Sequence, residues 1–156
     1  MSVARWRSLA WIAAIAVLAG CSSPAVTFRQ DSSLAFISPT PFTVVSAPFT
    51  VHWRSSGHAG QQFALFVDRR AIATGALIST VAPADCQRQP GCVTDDYLAG
   101  LGVYVTSADE ADVATLQQPT GIDARAAYPV HALELIVLDG DGRRVGTALA
   151  SRQIRA

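Results

Sequence analysis

Residues 130–154 read VHALELIVLDGDGRRVGTALASRQI, and they contain the longest apolar run after residue 20. Its first nine residues are almost wholly apolar, with Glu134 as the single acidic residue. A run of this length and composition predicts a central strand buried on both faces or nearly so. The sequence DGDG at 139–142 predicts a tight hairpin turn, because Asp-Gly pairs suit two-residue hairpin connections. Residues 145–154 are then predicted to return as the last strand.

Shorter stretches upstream have the period-two alternation of half-buried strands. In 49–54 the apolar set is Phe49, Val51 and Trp53, and the segment 63–68 repeats the pattern. Further strands are predicted at 102–106 and 113–116. A broken first strand is predicted at 34–37 and 42–45, confined to an edge by the prolines at 39, 41 and 48. The pattern indicates an all-β sandwich of about seven strands, with 71–101 left unassigned and 117–128 as loop.

Two of these segments resemble known modules. Trp53 late in an early strand, a polar loop and then Phe-x-Leu-x-Val resembles strands B and C of fibronectin type III and other immunoglobulin-like domains. The hairpin LELIVLDGDGRRVGTAL resembles strands F and G of bacterial immunoglobulin-like domains. The pair FALFVD and HALELIVLDGDGRRVG is also similar to a group of uncharacterised actinobacterial lipoproteins. The resemblance implies a fibronectin type III-like sandwich and implies no particular activity.

The first 21 residues have the pattern of an export signal. Arg5 and Arg7 precede an uncharged apolar segment, LAWIAAIAVLAG at 9–20, which is shorter than the roughly 20 residues of a membrane-spanning helix. Leu18-Ala19-Gly20-Cys21 resembles the bacterial lipobox. That resemblance implies cleavage after Gly20 and a diacylglyceryl group on the sulfur of Cys21. An ordinary secretory signal with a chance cysteine is the alternative.

These features divide the chain into a cleaved lipoprotein signal helix at 1–20, a lipidated Cys21 with a flexible tether over 21–33, and a β-sandwich domain at 34–156. The expected location is extracytoplasmic, anchored by lipid to the cell membrane, or to the outer membrane in a Gram-negative cell. The expected partners are the membrane, through the anchor at Cys21, and envelope proteins. After residue 20 the chain has ten basic and twelve acidic residues, a net charge of about −2. Nucleic acid is therefore not an expected partner.

Cys86 and Cys92 lie in CQRQPGC and are predicted to form a disulfide. Export would place them in an oxidising compartment, and Pro90-Gly91 is a turn signal that brings the two ends together. Two alternatives remain open at this point. A redox-active pair usually has C-x-x-C spacing, and a zinc site needs two more ligands. Only His52, His58 and His131 are available as further histidines.

No catalytic motif stands out in the sequence, so no catalytic residue, metal site or cofactor is predicted. Asp139 and Asp141 are open to interpretation as calcium ligands, but Asp-Gly at a hairpin is more typical of a turn. Trp53 is read as core, and a Ser/His/Asp triad is left open because its members need not be adjacent in sequence. The predicted function is a membrane-anchored, non-enzymatic binding, adhesion or envelope-assembly module. The alternatives are an envelope hydrolase and a small-molecule or metal-binding accessory protein.

Overall fold

The computed structural model describes residues 32–117 and 127–156. Within these ranges two antiparallel sheets contain seven strands, and three short helices lie between the third and fourth strands. The prediction of an all-β sandwich of about seven strands is confirmed. The strands are β1 Leu34–Ser38, β2 Phe49–Ser55, β3 Gln62–Val67, β4 Val103–Thr106, β5 Glu110–Val113, β6 Val130–Leu138 and β7 Arg144–Arg155; the helices are a 3-10 helix Ile78–Val81, α1 Ala84–Gln87 and α2 Asp95–Gly100.

The strands are ordered β1-β2-β5 in the first sheet and β4-β3-β6-β7 in the second. The predicted hairpin is present in the second sheet, where β6 is a central strand that pairs with β3 on one side and with the terminal strand β7 on the other. Asp139 builds the turn between β6 and β7, because its Oδ1 accepts hydrogen bonds from the backbone N–H groups of Asp141 (3.0 Å) and Arg143 (2.8 Å). These contacts agree with the interpretation of DGDG as a turn.

Apolar side chains from both sheets form the main core. Val51 and Trp53 of β2 are buried, and they pack in one cluster with Phe63, Leu65 and Val67 of β3. The residues predicted to share the core-facing side of each strand do so, but only β2 is half-buried, because Ala64 and Phe66 on the other face of β3 are also buried. Trp53 is 2% exposed, and its ring lies edge-to-face with that of Phe63 at 5.7 Å between centroids.

A second, smaller core lies on the outer face of the four-stranded sheet. The segment between β3 and β4, for which the sequence predicts no secondary structure, crosses this face and buries it. Ala64 and Phe66 of β3 pack there with Leu98 of α2. This second layer explains why β3 and much of β6 are apolar on both faces, since each face has a separate core to fill.

Two predicted strands differ from the observed ones. The strand predicted at 113–116 is observed three residues earlier, as Glu110–Val113. The observed strand alternates, with Ala111 and Val113 buried and the two acidic residues exposed. In the broken first strand, only β1 belongs to the three-stranded sheet. Val44 instead pairs in parallel with Arg155 at the edge of the other sheet.

Two arginines of β7 hold neighbouring segments in place. The guanidinium of Arg152 donates hydrogen bonds to the carbonyl oxygens of Phe36 (3.0 Å) and Pro39 (2.7 Å), which ties the two sheets together at the β1 edge. Arg144 is the first residue of β7, directly after the hairpin turn. Arg144 is half-buried and donates to the carbonyl of Ile72 in the segment between β3 and β4. Burial lowers the pKa of both arginines, opposed at Arg144 by the charge of Glu134.

Candidate functional site

A cleft with acidic walls opens on the side of the sandwich where β4 and β5 are the terminal strands of their sheets. Its volume is about 370 Å³. Asp95 and Asp96 of α2 line one wall, and Glu110 and Asp112 of β5 line the other. Among the described residues that line this cleft, none is basic. We call this region, between α2, β4 and β5, the edge cleft.

The first wall of the edge cleft is positioned by the start and end of α2. Thr94 caps the helix, because its Oγ1 accepts a hydrogen bond from the backbone N–H of Tyr97 at 3.1 Å. Asp95 and Asp96 then occupy the first turn, where carboxylates interact favourably with the helix N-terminus. After the helix, Gly102 has φ +77°, and a Cβ there would lie 2.9 Å from the carbonyl oxygen of Val67. A glycine is thus required for α2 to lead into β4.

The second wall is held by pairs between β2 and β5. Thr50 Oγ1 donates a hydrogen bond to Asp112 Oδ1 at 2.6 Å, and His52 Nδ1 lies 3.2 Å from Glu110 Oε2. Both pairs join residues directly opposite each other in the ladder. His52 is therefore an exposed partner of Glu110, with 45% of its side chain accessible.

The ladder pattern shows which backbone groups point toward the open side. Trp53 donates its N–H to the carbonyl of Asp109 at 3.0 Å, so this opposed pair is hydrogen-bonded. Hydrogen-bonded and non-bonded pairs alternate in an antiparallel ladder. The N–H and C=O groups of Glu110 and Asp112 consequently point away from β2, toward the edge cleft. By the same rule, with Val67 donating to Gly102 at 2.8 Å, Val105 directs its backbone groups away from β3.

The predicted disulfide between Cys86 and Cys92 is present in the structure. The two Cα atoms lie 5.4 Å apart, within the normal range for a disulfide. Cys86 is buried in α1, and the ring closed by the bond ends three residues before α2 begins. The bond therefore restrains the loop that leads into one wall of the edge cleft.

His131 is a buried histidine at the start of β6. It is 2% exposed, and its Nδ1 lies 2.7 Å from Asp68 Oδ2. The other carboxylate oxygen of Asp68 accepts the backbone N–H of Ala132 at 3.0 Å. Asp68 has φ +55°, so this side chain is placed by an uncommon backbone conformation. Asp68 thus provides a hydrogen-bond partner for the buried imidazole ring of His131 at the end of the main core.

A serine, a histidine and a glutamine form a hydrogen-bonded chain at the opposite end of the sandwich. Ser33 Oγ lies 3.0 Å from His58 Nε2, and His58 Nδ1 lies 2.8 Å from Gln61 Oε1. All three residues are half-buried. Sequence analysis missed this arrangement, because Ser33 and His58 are 25 residues apart and belong to no recognisable motif. The three residues have the connectivity of a nucleophile, a base and an orienting group.

The described residues contain no group of three or more His, Cys, Asp or Glu side chains arranged to hold a metal ion. They also contain no helix with the length and apolarity needed to cross a membrane. The signal at 1–20, the lipidation site Cys21 and the tether up to residue 31 lie outside the described residues, as do 118–126 of the predicted loop. No protein-family model, curated protein or solved structure matches the chain.

Proposed function

We propose that this chain is an exported lipoprotein whose sandwich domain is a non-enzymatic binding module of the cell envelope, with the edge cleft as its binding surface. One observation carries the proposal. The interior of the sandwich is filled by apolar side chains, whereas the edge cleft presents outward-pointing backbone groups and carboxylates together. Strand edges are a common mode of peptide recognition.

The location is supported by the residues that precede the domain. Arg5, Arg7 and the apolar segment 9–20 lead into Leu18-Ala19-Gly20-Cys21, the order expected of a lipoprotein precursor. The disulfide agrees with an oxidising compartment. β2 and β3 lie in different sheets and β6 pairs with β7, as strands B, C, F and G do in immunoglobulin-like sandwiches.

Site-specific photo-crosslinking in cells tests the binding surface. A photoreactive amino acid at Ala108, an exposed residue of the edge cleft, should yield a discrete adduct with an envelope protein. The same amino acid at Ala59, exposed in the loop between β2 and β3, is the matched control and should yield none. No adduct from Ala108, or equal adducts from both positions, would contradict the assignment of this surface.

A second candidate function is acyl transfer by an envelope hydrolase. The only observation that favours it is the series of hydrogen bonds joining Ser33, His58 and Gln61. Gln61 Oε1 can hold His58 in the tautomer whose Nε2 faces Ser33. We rank this function below binding, because a neutral amide gives no counter-charge to the imidazolium formed when the histidine accepts a proton.

The hydrolase candidate requires that a fluorophosphonate probe label the protein and that Ser33→Ala abolish the labelling. His58→Ala should also lower it strongly, since the base activates the hydroxyl. Ser107→Ala removes an exposed hydroxyl from the loop between β4 and β5 and should leave the labelling unchanged. Intact-mass analysis checks the stoichiometry. An unlabelled wild-type protein eliminates this candidate.

A further inference from the structure

We propose that the edge cleft binds an extended segment of a partner protein, with arginine or lysine at alternate positions, as an added strand along β5. This inference rests on the proposed function and specifies the class of partner. β5 is the terminal strand of the three-stranded sheet. Its residues Glu110 and Asp112 point their backbone N–H and C=O groups toward the open side. Such an edge can pair with an additional strand.

The geometry sets the spacing of the basic residues. Glu110 and Asp112 lie two residues apart, so their side chains project from the same face of β5, while Ala111 and Val113 point into the core. Residues of the added strand that pair with Glu110 and Asp112 must share that face and also lie two apart. These positions are the ones we assign to arginine or lysine, because each then faces a carboxylate across the new ladder.

The carboxylates are held in position before any partner binds. Thr50 donates to one oxygen of Asp112, and His52 contacts one oxygen of Glu110. A carboxylate has further acceptor sites beyond one such contact, so each side chain can still accept from a partner cation. Asp95 and Asp96 add negative charge on the far wall, across a space of about 370 Å³ that alternate side chains of the added strand would enter.

Charge disfavours a second copy of this chain as the occupant. Two β5 edges paired about a two-fold axis would place Glu110 and Asp112 of one copy opposite the same carboxylates of the other. Like charges directly opposite in a ladder are destabilising. Acidic residues at a strand edge also discourage self-association, and here they leave a basic strand as the complementary partner.

Binding of synthetic peptides to the full chain in detergent micelles tests the proposal. The probe is an eight-residue peptide of alternating arginine and threonine, and its charge control has glutamate in place of arginine. A third peptide carries N-methyl groups on the arginine amides, which keeps the charge but blocks strand pairing. We expect binding of the probe at low salt, no binding of the glutamate peptide, and at least about tenfold weaker binding of the methylated peptide, since main-chain hydrogen bonds give such complexes their affinity.

The variant Glu110→Gln/Asp112→Asn should weaken binding of the probe by about three- to tenfold, as expected for the loss of two exposed ion pairs. The matched control, Asp85→Asn/Asp141→Asn, removes two exposed carboxylates away from the edge cleft and should leave the affinity unchanged. All four side chains are exposed, and thermal unfolding curves check that both variants remain folded. Undiminished binding by the methylated peptide or by the Glu110/Asp112 variant would overturn the proposal.

The outcomes separate this inference from the function on which it rests. An adduct from Ala108 in cells together with no binding of the arginine peptide would retain the binding module and reject a basic strand as its partner. No adduct from Ala108 would reject the binding surface itself, whatever the peptide does.

Discussion

Trp53→Ala should lower the free energy of unfolding by about 3–5 kcal/mol, the usual cost of removing a large buried aromatic side chain. Trp53 is 2% exposed and lies in the cluster shared by both sheets, so its loss leaves a cavity between them. It also removes the edge-to-face contact with Phe63. Since the free energy of unfolding of a whole domain is only about 5–15 kcal/mol, this variant should lose a large part of its stability. Urea unfolding of the full chain, followed by circular dichroism, measures the change.

Trp53→Phe is the informative control. Among the described residues, the Nε1 of Trp53 has no hydrogen-bond partner although it is buried. Phenylalanine keeps an aromatic ring in the core and removes that unsatisfied donor, whose burial itself costs free energy. The expected loss is therefore about 1–2 kcal/mol, well below that of alanine. Equal losses for both variants would contradict this expectation and would show that the position requires the full indole ring.

The parts of the fold that could be predicted from sequence are those specified by neighbouring residues. The alternation of Val51 with Trp53 needs only the period of a strand, and the turn at Asp139 needs only its Asp-Gly sequence. The same holds for the disulfide, because Cys86 and Cys92 are separated by a short loop with a turn signal. Each of these features was predicted, and each is observed.

The parts that could not be predicted depend on contacts between distant segments. Nothing near β3 in sequence indicates that the 71–101 region folds back over its outer face, because that layer is held by scattered contacts such as Leu98 against Phe66. β5 was displaced in the prediction because two of its four side chains are carboxylates. The edge cleft could not be predicted either, since its acidic walls come from two segments, α2 and β5, that only the fold brings together.

The arginines of β7 illustrate a further limit. A guanidinium in a polar stretch is normally read as a surface charge, because arginine is seldom fully buried. Arg144 and Arg152 instead bind backbone carbonyl groups of segments that are far away in sequence. Their role depends on the positions of the carbonyl groups of 36–39 and of Ile72 in the folded chain, and no local sequence pattern specifies those positions.

Cys21→Ser should abolish lipid attachment and move the protein from the detergent phase to the aqueous phase on Triton X-114 partition. The anchor we propose requires a thioether at the sulfur of Cys21, and a serine hydroxyl has no such sulfur. Each buried acyl CH₂ contributes about 0.8 kcal/mol to membrane binding, and one chain alone holds only marginally, so loss of both diacylglyceryl chains removes stable attachment.

The disulfide supplies the matched control for this experiment. Cys86→Ser/Cys92→Ser also removes sulfur from the chain, but those atoms are joined to each other in the folded domain and are not free to carry lipid. This variant should keep the acyl mass and the detergent-phase partition of the wild type, and lose about 2 kcal/mol of stability from the opened loop. Intact mass decides the matter, because the mature wild type should begin at residue 21 and carry acyl groups. A wild-type protein that begins at Met1, or that has no acyl mass, would refute the anchor. A Cys21→Ser variant that still partitions into the detergent phase would show that something other than the lipid holds this chain at the membrane.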